Sequence, residues 1–152
     1  MSIWWGEISI AEFGDRSRRT LNESLGIEVT RIDPDALHGR MPVDHRTVQP
    51  AGVLHGGASV AFAETLASWA GHLAVDRERF HVVGQEINAN HVRPGRPGTW
   101  VHGVARPLHL GRRAHVWEVR ISTEDDVLIC ISRCTLAVLE QPSAYQTPEQ
   151  RS

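Results

Sequence analysis

Alternation of apolar and polar side chains marks out most of the chain, and one long apolar run interrupts it. The alternation is clearest in AHVWEVRIST, where Trp117, Val119 and Ile121 face one way and Val116, Glu118 and Arg120 the other, the period of a half-buried strand. Extended segments are also predicted at IEVTRID from Ile27, at ALHGRMPV, at HVVGQEINANHVRP, at TWVHGVARPLHLG and at VLICISRCTLAVL. Turns separate them at Pro34-Asp35, Arg96-Pro97-Gly98, Gly111-Arg112-Arg113 and Glu124-Asp125-Asp126, where Pro, Gly and Asp favour reversal of the chain. Residues from Ile8 to Leu25 mix apolar and charged positions and are expected to form one or two short helices.

The interrupting run is QPAGVLHGGASVAFAETLASWAGHLA, from Gln49 to Ala74. A Pro/Gly loop delivers the chain through His55-Gly56-Gly57 to a stretch with no Gly or Pro until Gly71, so a helix of about four turns is predicted. Val60, Ala61, Phe62, Ala63, Leu66, Ala67 and Trp69 surround its axis, the pattern of a helix buried on most sides. At roughly fifteen residues it is too short to span a bilayer. The order is therefore two strands, one buried helix and four more strands. That order predicts an α+β domain: an antiparallel sheet wrapped around one long central helix, with a short N-terminal helix. A monomer of this design leaves apolar surface exposed, so a dimer is expected.

One charge, Glu64, breaks the apolar run. A carboxylate there is costly unless something pairs with it, hydrates it or uses it. At 100° per residue, Gly57, Ala61, Glu64 and Ser68 share one side of the helix, and the small residues leave room beside the acid. The combination reads as a pocket wall.

Composition narrows the field. A length of 152 residues suits one domain, expected over residues 1–140, with a polar, Pro-bearing tail over 141–152 expected to be disordered. Sixteen basic against eighteen acidic side chains give a net charge of −2, so no basic excess points to nucleic acid or to an anionic membrane. The start, MSIWWGEISIAEFGDRS, lacks the charged region and apolar run of a secretory signal. Cys130 and Cys134 lie four apart in a predicted strand, on one face but roughly 13 Å apart, too far for a disulfide. A cytoplasmic location is the expectation. No serine-hydrolase elbow, zinc spacing, Walker loop or dinucleotide fingerprint is present.

A carboxylate, outward N–H groups at a helix start and a nearby hydroxyl are residue types that serve general-base, nucleophilic and oxyanion-stabilising roles. Glu64 is a candidate base or nucleophile, and equally a structural carboxylate satisfied by backbone or Arg. Gly57 sits where N–H groups at a helix start point outward, though a Gly-rich entry alone has the same look. His55 is a candidate polarising group or a capping residue. Ser68 is placed to hold a water or to bond back to a helix carbonyl. His91 and Arg93 end one strand, and His109-Leu110-Gly111-Arg112-Arg113 forms a basic turn. Such a turn offers Arg forks to phosphates or is merely solvated charge.

The segments RMPVDHRTVQPAGVLHGGASVAFAETLASWAG, VVGQEINANHVR, RPLHLGRRAHVWEV and ISRCTLAVLE, covering most of Arg40 to Glu140, resemble the hotdog-fold acyl-CoA thioesterases. Within them the likeness is to the branch of 1,4-dihydroxy-2-naphthoyl-CoA thioesterases of menaquinone synthesis and enterobactin-pathway proofreading thioesterases. The resemblance implies that Glu64 is base or nucleophile, that His55, Gln49 and the Gly57 N–H contact the thioester, and that Ser68 assists. It further implies that Gly84 lines the tunnel and that the coenzyme A portion runs along His91, Val92, Arg93 and Pro94. The turn of His109, Leu110, Gly111, Arg112, Arg113 and Ala114 is implied in the same role. No metal or separate cofactor is implied, since coenzyme A belongs to the substrate. The active site is implied to lie at a homodimer interface, with Glu64 and His55 from opposite subunits and two dimers associating further.

Aromatic acyl groups, dihydroxynaphthoyl or hydroxybenzoyl, are the substrates this likeness favours. Aroyl groups on a carrier protein, phenylacetyl-CoA and medium-chain acyl-CoA stand as alternatives. Because one fold hosts several chemistries, a dehydratase and a non-catalytic acyl-CoA binding protein are the rival classes. The first 25 residues, the Asp76–His81 connection, Arg112 and Ala114 depart from the family pattern.

Overall fold

In the computed structural model, which describes residues 1–142, six antiparallel strands form one sheet in the order β1-β2-β4-β5-β6-β3. The strands are β1 (Glu28–Asp33), β2 (Ala36–Val43), β3 (Phe80–His91), β4 (Thr99–Leu110), β5 (Ala114–Ser122) and β6 (Leu128–Glu140). The long helix α3 (Gly56–Leu73) connects β2 to β3 and lies across the inner face of the sheet, with α1 (Ile10–Ser17) and α2 (Leu21–Ser24) preceding β1. All six predicted strands and the central helix are present. The tail from 143 onward lies outside the described residues.

The alternation in β5 does what its period requires. His115, Trp117, Val119 and Ile121 are buried toward the helix, while Arg120 is exposed. From α3, Phe62, Ala63, Leu66, Ala67, Ala70 and Leu73 are fully buried against this face, and each large apolar side chain stabilises the fold by about 1.5–3 kcal/mol. The helix seats closely where two glycines leave the sheet without a side chain beneath Phe62 and Leu66. Gly39 of β2 pairs with Gly103 of β4, and a Cβ on Gly103 would come within 2.5 Å of Leu66 and 2.9 Å of Phe62.

Three contacts fix the helix against β3. His91 packs over Gly56, Gly84 over Glu64, and Val82 near Gly71, so α3 runs antiparallel to this strand. A bulge between Gly84 and Glu86 interrupts the β3–β6 ladder opposite Leu136 and Thr135, where the extra residue bends the strand. β3 and β1 are the edges of the sheet.

The first residues act as a strap across the far end of α3. The Trp5 N–H donates to the Leu73 carbonyl at 2.7 Å and the Ile3 N–H to Pro34 at 2.9 Å. Between them, Trp4 stacks on Trp117 with centroids 6.2 Å apart and donates from Nε1 to the Asp33 carbonyl at 2.7 Å. No sequence pattern pointed to this. Cys130 and Cys134 are free and buried, in keeping with their spacing.

Candidate active site

Glu64 sits midway along α3, half-buried rather than enclosed. It opens on a cleft of about 550 Å³ whose helix side carries Ala61, Glu64, Thr65, Ser68, Trp69 and His72. These are the positions that share one side of a 3.6-residue helix, so the pocket wall expected from Ala61, Glu64 and Ser68 is present. Gly57, expected on the same wall, lies outside the cleft. Among the described residues the Glu64 carboxylate has no cation within ion-pair distance and no hydrogen-bond donor. A carboxylate held structurally by an Arg or by backbone N–H groups is therefore not what this chain shows. Gly84 faces it closely: a Cβ there would collide with Glu64 Oε1.

Ser68 lines the same cleft one turn on. Its neighbour Thr65 bonds back to the Ala61 carbonyl at 2.7 Å, but among the described residues Ser68 Oγ makes no such bond. The hydroxyl is left to the cleft.

At the helix start the arrangement departs from expectation. His55 is the N-cap, and its Nδ1 accepts the Gly57 N–H at 2.8 Å. The Gly57 N–H is thus engaged rather than free. A ring nitrogen that accepts carries no proton, so the neutral His55 ring holds its proton on Nε2. The donor offered outward is then the exposed His55 side chain, and the helix begins two residues before Ala58 because the cap is His55.

Gln49 is pinned in a tight turn. Its Oε1 accepts from the Ala51 N–H at 2.7 Å, which fixes the amide orientation and leaves the NH₂ without a partner among the described residues. The turn is closed by the Gln49 N–H to the Val53 carbonyl at 2.9 Å. Gln49 borders a second hollow of about 370 Å³ together with Gly56, Ser59, His91, Val92, Arg93 and Pro94. Arg93 keeps one guanidinium nitrogen on the Leu128 carbonyl at 3.0 Å.

The two candidate coenzyme segments do not meet within one chain. Register ties Ala114 to Ala137 and thence to Val83, whereas His91 pairs with Cys130, opposite Ile121. The turn from His109 to Ala114 therefore lies level with Val83 and Gly84, across the intervening strand β6, and His91–Pro94 lies eight residues further along β3, roughly 26 Å away. His109, Leu110, Arg112 and Arg113 are exposed, with Gly111 and Ala114 half-buried. The turn is held by the Gly111 N–H on the Ala114 carbonyl at 2.9 Å. Likewise His55 and Glu64 are nine residues apart on one helix, about 13 Å.

The residues that the sequence reading missed come from the N-terminal segment. Phe13, Arg16 and Ser17 of α1, with Leu21 and Asn22 of α2, close the cleft opposite Glu64, and His81 and Val82 complete it. His72 was legible, since it continues the stripe of Glu64 and Ser68 by another turn. The N-terminal ones reach the cleft through contacts distant in sequence, as in the Asn22–Thr65 hydrogen bond of 3.1 Å, 43 residues apart. Burial holds the His72 imidazole below its ordinary pKa, and Arg16 adds to the effect.

Comparison with known proteins shows the family. The model of the family described as Thioesterase superfamily matches residues 51–130, the span from the Gln49 turn through α3 to β6. This chain belongs to the thioesterase superfamily. The 1,4-dihydroxy-2-naphthoyl-CoA hydrolase of Escherichia coli is 47% identical over 137 residues, covering 90% of this chain and 99% of that protein. A proofreading thioesterase EntH of Cronobacter turicensis is 48% identical over 137 residues, covering 90% and 98%. A crystal structure of a mutant thioesterase from Pseudomonas aeruginosa superposes with a TM-score of 0.89 at 43% identity, covering 92% of this chain and all of that one. The α+β hotdog arrangement is that of the superfamily. No helix among the described residues is long and apolar enough to cross a membrane.

Proposed function

We propose that this thioesterase-superfamily chain hydrolyses an acyl-CoA thioester with an aromatic acyl group, of the dihydroxynaphthoyl or hydroxybenzoyl kind. Glu64 acts as general base or nucleophile. The observation that carries the proposal is the Glu64 carboxylate, unpaired among the described residues, opening on a cleft beside the free Ser68 hydroxyl. Ser68 holds the water on which Glu64 acts. Two neutral donors, the His55 ring and the Gln49 NH₂, polarise the carbonyl, and the Gly57 N–H supports them by fixing the His55 tautomer.

The donors and the carboxylate are separated on one chain, so the proposal includes a homodimer. A two-fold axis through β3 near Ile87, pairing its free edge with a second copy, exchanges the strand's two ends. The Glu64–Gly84 end of one subunit then meets the Gln49–His55–His91 end of the other. The same operation brings Arg112 and Arg113 toward the partner's Arg93, giving the nucleotide phosphates one basic track from two distant segments. Pairing of two such dimers and a cytoplasmic location belong to the same proposal.

Free-thiol release from dihydroxynaphthoyl-, 4-hydroxybenzoyl-, phenylacetyl- and hexanoyl-CoA, with wild type beside Glu64→Gln, tests the reading. Turnover of an aryl-CoA by the wild type, reduced about 10²–10⁴-fold by the substitution, is expected. Binding without thiol release, or equal release by the variant, overturns it in favour of a binding protein or another hotdog chemistry.

A further inference from the structure

The wall of the cleft farthest from the helix start has a composition of its own. Trp69 stacks on His72 with centroids 4.9 Å apart, and Phe13 meets Trp69 edge-on at 5.4 Å. The Arg16 guanidinium lies over the Trp69 ring at 5.7 Å, with one nitrogen 3.0 Å from His72 Nε2. Glu12 is 3.3 Å from Arg16 and 3.5 Å from Arg77, so two guanidiniums share one carboxylate and the group keeps a net positive charge. Two residues of the same cleft also hold buried nitrogens with no partner among the described residues, Trp69 Nε1 and His81 Nδ1. A buried polar atom without a partner is costly unless one is supplied, and for Trp69 Nε1 that partner is an acceptor.

From Glu64 to His72 is two helical turns, about 12 Å. That length takes a thioester carbonyl, an aromatic ring and a substituent beyond it. The ring meets Trp69 and Phe13, and what lies past the ring meets Arg16. We propose that Arg16, carried on the N-terminal helix α1, is a specificity-determining residue that donates to an oxygen acceptor at the distal end of an aromatic acyl group. A phenolic hydroxyl is the substituent the subsite takes. Arg16 acts through binding of the acyl group and takes no part in the hydrolytic step. The inference rests on the thioesterase reading given above for the position of the scissile bond.

The test compares 4-hydroxybenzoyl-CoA with benzoyl-CoA in wild type, Arg16→Ala, Arg16→Lys and Glu64→Gln, each shown to keep its melting temperature. Wild type is expected to favour the hydroxylated ester by about tenfold in kcat/KM, the contribution of one added hydrogen bond to a charged group. Arg16→Ala is expected to lower kcat/KM for 4-hydroxybenzoyl-CoA by about tenfold more than for benzoyl-CoA, and Arg16→Lys to restore part of the difference. Glu64→Gln lowers both esters alike. Equal losses on both esters in Arg16→Ala, the result of a merely structural helix contact, overturn the assignment, as does an unchanged preference. Calorimetric titration with 4-hydroxybenzoate and benzoate repeats the comparison without turnover. If no ester is hydrolysed but Arg16 still decides between the two acids, the hydrolytic reading fails and the subsite stands. If the acids are bound equally, the subsite fails whatever Glu64 does.

Discussion

Gly84 of β3 lies so close to Glu64 of α3 that any side chain at position 84 would collide with the carboxylate. The contact sits at the bulge that bends β3, so strand and helix together set where the acid points. Gly84→Ala is expected to push the carboxylate aside and lower kcat by roughly 10–100-fold, since a displacement of about 1 Å at a reacting group costs as much. The melting temperature is expected to hold, because what must move is the flexible end of Glu64. Wild-type turnover in this variant would show that the contact does not position the acid.

The paired glycines under the helix make a stability prediction instead. A Cβ on Gly103 meets Leu66 at 2.5 Å and one on Gly39 meets the same side chain at 2.6 Å. Gly103→Ala is expected to cost about 1–3 kcal/mol through overpacking. In urea unfolding it is read as a lower midpoint at unchanged slope. Because both positions press on Leu66, the double substitution is expected to depart from the sum of the singles.

Burial raises the Cys134 thiol to about 12, with the negative charges of Glu64 and Glu86 adding to the effect, and burial also raises Cys130. Thiolate is the reactive form. In the native protein neither thiol is expected to react with a disulfide reagent at pH 8, and both are expected to react in denaturant. Rapid native labelling of either would contradict the packing of β6.

How much of this was legible in sequence depends on the range of the forces involved. The six strands and α3 are written in local period, because side-chain alternation reports which face is wet. Glu64 and Ser68 could be placed on a shared helix face for the same reason. The engagement of the Gly57 N–H by His55 is a matter of one ring's orientation, and residue spacing carries no trace of it. The separation of His91–Pro94 from the turn of His109–Ala114 follows from strand register, which a single sequence does not print. The cleft wall of Phe13 and Arg16 belongs to short helices held by tertiary contacts with Trp69 and His72, and short helices have little propensity signal of their own.

His115 links pH to stability. It is 4% exposed and Nδ1 has no partner among the described residues. Burial holds its pKa below the ordinary value, with His109 acting in the same direction. The unfolded chain takes up this proton near pH 6.5, the folded chain only at lower pH. The stabilising contribution is therefore complete above about 6.5 and is lost as pH falls toward the folded value. Below pH 6.5, stability measured by urea unfolding is expected to fall by up to about 1.4 kcal/mol per pH unit for this histidine. His38 and His72 are shifted downward too, so His115→Leu is expected to shallow the slope without abolishing it.

The stacking of Trp4 on Trp117 has an optical consequence. Two indoles with centroids 6.2 Å apart and planes 1° from parallel are expected to give a near-ultraviolet circular dichroism signal that is lost when the strap lets go of the far end of α3. Trp69, set against Phe13 and His72, lines the cleft proposed for the acyl group, and its emission is expected to change when that cleft is filled. The molecule thus carries two intrinsic chromophoric reporters, one for the closure of its first residues and one for its ligand, readable without any label.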